Sequence, residues 1–225
     1  MNSSLDNVAD VIERRTTVKV FSECDLPVVN NRASVDRLIG LAGWAPFHRS
    51  CDASHRNGEL SGLEPWRFYG LDAADCRLLK KKIPSENAGK IPLMLAAAQS
   101  LVLATWLPNP CSQFQANSQF RDESCFAPTL ANMEHIAAAA AAVENLLIAA
   151  TADGITNYWS SGGVLRSPEV FRLAEIPERE ILLGAIFLFP SNAIEQTTRV
   201  GSKMRAERSP AAGWMRWVSL AATQD

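Results

Sequence analysis

Glu13-Arg14-Arg15-Thr16-Thr17-Val18-Lys19-Val20-Phe21 sets three cations and two hydroxyls where an apolar-periodic opening segment runs out. Within little more than a turn the run offers a guanidinium fork, two hydroxyl donors and an ammonium. That set suits a phosphate better than a carboxylate, because a phosphate presents three acceptor oxygens to donors arriving from different directions. The competing reading is structural: Arg, Thr and Lys at the end of a surface helix are ordinarily a solvated terminus compatible with the helix dipole. The flanking sequence has to decide between them.

Upstream, Leu5, Val8, Val11 and Ile12 recur at helical spacing and Asn2-Ser3-Ser4 can supply an N-cap, which predicts a helix over residues 3–14. Downstream, residues 24–31 with Pro27 and paired Asn read as a connection. Ser34 is expected to cap a second helix, whose stripe of Val35, Leu38, Ile39, Leu41 and Ala42 closes near Trp44-Ala45-Pro46. Residues 47–63 are polar, aperiodic and read as a long loop. Aromatic alternation over 65–71 predicts a strand, and Asp72 or Asp75 opens a third helix through Leu78, Leu79 and Ile83. A short apolar helix over 88–99 leads into 100–106, whose unbroken apolar character predicts a strand buried on both faces.

Residues 107–127 form a long irregular connection, of a length that is usually functional or mobile. The longest helix is expected over 128–153, with Met133, Ile136, Ala140, Val143, Leu147 and Ala150 on its apolar side. Its alanine ridge at 137–142 would let another helix come close, either within the chain or in a second copy. Glu134, His135, Glu144 and Asn145 within it argue against a membrane span. Gly154 stops that helix. A short strand over 155–159 ends in Ser160-Ser161-Gly162-Gly163, Ser167 caps a helix over 168–174 with Pro168 at its first position, and 181–189 is a second fully apolar strand. No repeat or low-complexity linker divides the chain, and helices mix with strands in a non-alternating order. The expectation is one α+β domain over residues 1–225, a mixed sheet covered by helices on its faces.

A length of 225 residues is enough to bury a sizeable core in one domain, and a net charge of −2 provides no drive toward nucleic acid or an anionic membrane. Five scattered cysteines, without a secretory signal ahead of them, point to reduced thiols in a cytoplasm. Six tryptophans suit a core and also a flat ring ligand.

His48, Cys51, Asp52 and His55 are close in sequence, but with no second cluster elsewhere they fall short of a zinc pattern, so no metal is expected. Ser160-Ser161-Gly162-Gly163 lacks the glycine that would precede a hydrolase nucleophile. Its glycines suit a different role, since exposed backbone N–H groups after a strand let a planar heterocycle approach and accept at a ring nitrogen. Neither a Gly-x-Gly-x-x-Gly nor a Walker sequence occurs.

Taken in order, these stretches resemble the FMN-dependent nitroreductase family. Arg15-Thr16-Thr17-Val18-Lys19-Val20-Phe21 resembles its opening Arg-x-Ser-x-Arg/Lys-x-Phe/Tyr motif. Ala45-Pro46 and Glu64-Pro65-Trp66-Arg67-Phe68 resemble its Ala-Pro-Ser…Gln-Pro-Trp-x-Phe block. Glu144-Asn145-Leu146-Leu147-Ile148-Ala149-Ala150, Gly154, Trp159, Gly162 and residues 177–189 resemble its second half, and Lys203-x-Arg205 its C-terminal basic pair. The resemblance spans nearly the whole chain.

It implies a nitroreductase-like three-layer sandwich, with a mixed, mostly antiparallel sheet flanked by helices. It further implies an intertwined homodimer with FMN at the interface. Arg15, Thr17, Lys203 and Arg205 would hold the phosphate and ribityl chain, Thr16 would donate beside them, and Lys19 would reach the pyrimidine edge. Pro46, Phe47 and Glu64 would border the ring, and the backbone of Ser161 and Gly162 would face flavin N5 and O4. No side chain is expected to act as catalytic acid or nucleophile, because the flavin carries the chemistry. NADH or NADPH would donate hydride, and a small-molecule acceptor such as a nitroaromatic or quinone would take it in a ping-pong cycle. A flavin-binding protein without turnover, or a same-fold enzyme of dehalogenation or flavin fragmentation, stays open.

The departures lie at the mouth. Phe47 stands where the family commonly has Ser, Gly62 where it often has Asn, and Glu64 where it has Gln, while the 47–63 loop is longer than usual. His48, Phe120 and Phe126 are the candidate lining of the reshaped substrate pocket.

Overall fold

The computed structural model describes residues 3–84, 86–109, 127–191 and 194–218. At its centre is a four-stranded antiparallel sheet in the order β2 (Trp66–Asp72), β3 (Ser100–Trp106), β5 (Ile181–Phe189), β4 (Thr156–Ser160). Trp66, Trp106 and Ile181 share one end of the register; Asp72, Ser100 and Leu188 share the other. Every residue of β3 is buried, which is why its sequence shows no polar alternation.

Successive residues of the central strands supply two cores. Leu101, Leu103, Phe187 and Phe189 face α3 (Ala73–Lys82), α4 (Ile91–Ala97) and α6 (Pro168–Leu173). Val102, Ala104, Ile186 and Leu188 face the other way, onto α2 (Arg32–Ala42) and α5 (Leu130–Ala152). This is the expected three-layer α+β sandwich. By length and composition alone α5 could cross a membrane, but here Val143, Leu146, Leu147 and Ala150 lie against the sheet.

Four local features differ from the sequence-based expectation. The cation-rich stretch runs into a strand, β1 (Val18–Ser22), which pairs antiparallel with β6 (Thr197–Gly201), from Val18 opposite Gly201 to Ser22 opposite Thr197. Neither strand was anticipated, because β6 is polar and has no fully buried residue. A parallel bridge between Thr17 and Asn157 ties this pair to the β4 edge and gives the sheet its mixed character. The second helix starts at Arg32, with Asn31 rather than Ser34 as N-cap; the Asn31 side chain makes no cap bond, and its Oδ1 instead accepts the Ser100 hydroxyl at 2.8 Å. The fourth helix starts at Ile91 rather than Ala88, since Asn87 and Gly89 both take positive φ. Finally, a 3-10 turn (Ala53–Arg56) sits inside the 47–63 loop, capped by Asp52.

Helix α1 (Ser4–Arg14) starts with a reciprocal capping box between Ser3 and Asp6 and buries none of its residues. Its Leu5, Val8 and Ile12 are exposed, and every described residue from 201 to 218 is exposed as well.

Candidate functional site

The β1–β6 pairing brings the two basic ends of the chain together. The Ser202 N–H donates to the Thr17 carbonyl at 3.1 Å. From the 3-10 turn Lys203–Arg205, the Arg205 guanidinium donates to the Arg15 carbonyl at 2.8 Å and to the Glu13 carbonyl. Arg15, Thr16, Thr17, Lys203 and Arg205 are thus collected at one edge of the fold. The Arg15 side chain, largely buried, holds Glu144 of α5 at 2.9 Å. Lys19, one residue into β1, places its ammonium 5.1 Å from the centre of the Tyr158 ring on β4.

β4 leads from this cation group to the Ser160-Ser161-Gly162-Gly163 turn. Gly162 has φ +106°, and a Cβ there would collide with Leu182 and crowd Arg166, so the position demands glycine. Arg166 fixes the turn by donating from Nε to the Ser161 carbonyl and from Nη1 to the Leu182 carbonyl, both at 2.6 Å. The Gly162 N–H donates to Ser160 Oγ at 3.2 Å, while Ser161 is exposed. Gly184, opposite on β5, has no room for a Cβ because the Trp159 indole lies over it. From Asn157 to Ser160 the strand runs roughly 10 Å at about 3.3 Å per residue, and the Gly162 turn begins just beyond its end.

Pro46, Phe47 and Glu64 belong to the other edge of the sheet. Phe47 packs edge-on against Trp66 of β2, with ring centres 5.6 Å apart, and Pro46 is exposed. The Glu64 carboxylate folds toward Gly62, close to where a Cβ at that position would sit. β2 and β4 are the two edges of the sheet, three strand spacings or roughly 14 Å apart at about 4.8 Å each. His48 is exposed; Phe120 and Phe126 lie outside the described residues.

Arg67 stands in the sequence only as the variable position of a motif, yet it organises this edge. Only 6% exposed, it donates to the carbonyls of Glu64 and Trp66 from Nη1 and of His55 and Gly62 from Nη2. A cation between two aromatics in a strand was the available signal. His55, buried, meets the Pro108 carbonyl at 2.8 Å through Nε2, and burial pushes its pKa down. Asn132 of α5 accepts from the Asn109 N–H and donates to the Ala127 carbonyl, so one side chain anchors both of these positions. His48, Cys51 and His55 do not act as a group: Cys51 is buried with its thiol toward the Gly62 carbonyl.

No family model matches the sequence, and no curated protein matches it. Solved structures do match the fold. A nitroreductase-like family protein from Bacillus cereus superposes with a TM-score of 0.60 at 16% identity, covering 97% of each chain. A protein described as a nitroreductase from Desulfovibrio desulfuricans, solved in complex with FMN, gives 0.56 at 20% identity, covering 98% of this chain and all of its own. A nitroreductase family protein from Streptococcus pneumoniae gives 0.53 at 15%, covering 93% and 99%. The chain has the nitroreductase fold, over nearly its full length.

Proposed function

We propose that this chain is an FMN-dependent oxidoreductase that takes hydride from NADH or NADPH and delivers it to a small organic acceptor such as a nitroaromatic or quinone. The observation that carries this reading is the meeting of Arg15, Thr16 and Thr17 with Lys203 and Arg205 through the β1–β6 pair, at one end of a strand whose other end is the Gly162 turn. Arg15 already binds a carboxylate, so its guanidinium is placed to accept an anion. These cations and hydroxyls would hold a phosphate and ribityl chain, and Lys19 would favour negative charge on the pyrimidine edge. At the turn, Ser161 and Gly162 would offer backbone N–H groups; the 3.2 Å bond to Ser160 Oγ is long and a weak competitor. Bound there, FMN supplies hydride exchange at N5.

The site would be completed by a second copy. Pro46, Phe47 and Glu64 stand by β2, at the opposite edge of the sheet from β4, and a partner would present its own copies of them to the flavin. The exposed Leu5, Val8 and Ile12 of α1, with Trp44, Trp214 and Trp217 at 85%, 74% and 90% exposure, give an apolar surface that a homodimer would cover.

Purified protein is expected to be yellow, to release FMN on denaturation and to bleach when mixed anaerobically with NADH or NADPH. Colourless protein that cannot be reconstituted with FMN would overturn the flavin reading; persistent yellow would leave binding without turnover. Sedimentation at micromolar concentration is expected to show a dimer.

A further inference from the structure

A cavity of about 700 Å³ opens along the outer edge of β2, between α3, the end of α6 and residues 55–60. None of the individual residues assigned above to the cofactor or the substrate pocket lines it, although residues 55–60 belong to the long 47–63 loop. Leu60, Leu78 and Leu173, 45%, 49% and 42% exposed, converge on it from three separate elements and are joined by Leu71 and Leu79. Exposed leucines scattered singly need no explanation; three facing one concavity do. The volume lies in the range of small-molecule sites, which combine apolar walls with a few placed polar groups.

The polar group here is Glu180. Although only 7% exposed, it lines the cavity, and it forms no ion pair among the described residues. The Tyr69 hydroxyl donates to Oε1 at 2.8 Å and the Thr105 hydroxyl to Oε2 at 2.5 Å. A carboxylate has roughly four acceptor positions, so about half remain open. Around the rim, Glu59, Asp75 and Glu175 outnumber Lys82 and Arg179.

We propose that this cavity is a second ligand site, which binds an amphipathic organic cation: an amine whose apolar body lies among Leu60, Leu71, Leu78, Leu79 and Leu173 and whose ammonium reaches Glu180. The charges of Arg67 and Arg179 act on this carboxylate without pairing with it directly; an ammonium would give it a contact ion pair, a donor contact that an alcohol of the same shape makes less well. The site does not depend on the flavin reading.

The test is a calorimetric titration of the full-length protein with octylamine, 1-octanol and octanoate, with and without saturating FMN. Octylamine is expected to bind about tenfold more tightly than octanol, as a buried charge-assisted contact should give. Octanoate should give no measurable binding, and FMN should leave the order unchanged. Leu173→Trp, which fills the cavity from an exposed position, should abolish octylamine binding without lowering the melting temperature. Glu180→Gln should bring the amine and the alcohol to parity. Equal binding of all three probes, a preference for octanoate, or unchanged octylamine binding in Leu173→Trp would overturn the proposal, even if Glu180→Gln failed to fold.

Discussion

Arg15 Nε lies 2.9 Å from Glu144 Oε1, so the cation at the end of α1 is tied to the middle of α5, far along the sequence. A phosphate arriving at Arg15 has to displace this carboxylate or share the guanidinium with it. Glu144→Gln is therefore expected to tighten FMN binding by about fivefold, the equivalent of about 1 kcal/mol for a partly exposed pair. Quenching of flavin fluorescence on titration would measure it. Unchanged or weaker binding would place the phosphate elsewhere.

Arg15→Ala combined with Arg205→Ala should remove most of the FMN, since two charge-assisted contacts of about 1.5–3 kcal/mol each would be lost. Arg205 also holds the carbonyls of Arg15 and Glu13, so the melting temperature has to be followed in parallel. Loss of FMN at a preserved melting temperature separates cofactor binding from structure, and full retention of FMN would remove both residues from the cradle.

Arg67 satisfies four backbone carbonyls from a nearly inaccessible position. Arg67→Met keeps much of the apolar stem but leaves those carbonyls without their donor. A loss of about 3–5 kcal/mol is expected, the range for breaking a buried charged network. Residues 52–63 should become the first site of limited proteolysis, with chemical denaturation reporting the stability change. A loss under about 1 kcal/mol would show that the carbonyls find water instead.

The sandwich was legible from periodicity, since β3 and β5 are unbroken apolar runs and α5 keeps one side of Val143, Leu147 and Ala150 against them. The same signal failed for β1 and β6, a short pair whose polar partner strand buries nothing fully and whose order comes from pairing. The basic residues near Arg15 were legible as composition, but Glu144 as the partner of Arg15 was not, because the contact depends on how α1 lies beside α5. Arg67, Arg166 and Glu180 went unassigned for a related reason: their partners are mostly backbone carbonyls or hydroxyls, which leave no spacing to read.

Glu175 holds φ +54° after the last turn of α6, where the Ile176 N–H closes back on the Phe171 carbonyl at 2.8 Å. That is the left-handed position at a helix end where glycine is usual. Glu175→Gly removes the steric cost of a Cβ but enlarges the unfolded ensemble, leaving a net gain of about 0.5–1 kcal/mol. The urea midpoint should rise; a fall would mean that the carboxylate makes a stabilising contact at the cavity rim.

Burial holds the Glu180 carboxyl above its ordinary range, against the hydrogen bonds of Thr105 and Tyr69 and the charges of Arg67 and Arg179. The unfolded chain releases this proton at the ordinary carboxyl pKa, whereas the folded chain keeps it to higher pH. Between the two values the folded state binds more protons, so this stabilisation is complete below the unfolded pKa and is lost as pH rises through the folded one. His55 works in the opposite direction, because burial lowers its pKa and favours the folded state as pH rises. Glu180→Gln leaves the His55 contribution in place, and the glutamine can accept from Tyr69 and donate to Thr105 once that hydroxyl turns. The difference between wild-type and Glu180→Gln melting temperatures, followed from about pH 4.5 to 8, should therefore shift steadily in favour of the variant. A difference independent of pH would show that Glu180 titrates alike in the folded and unfolded chains.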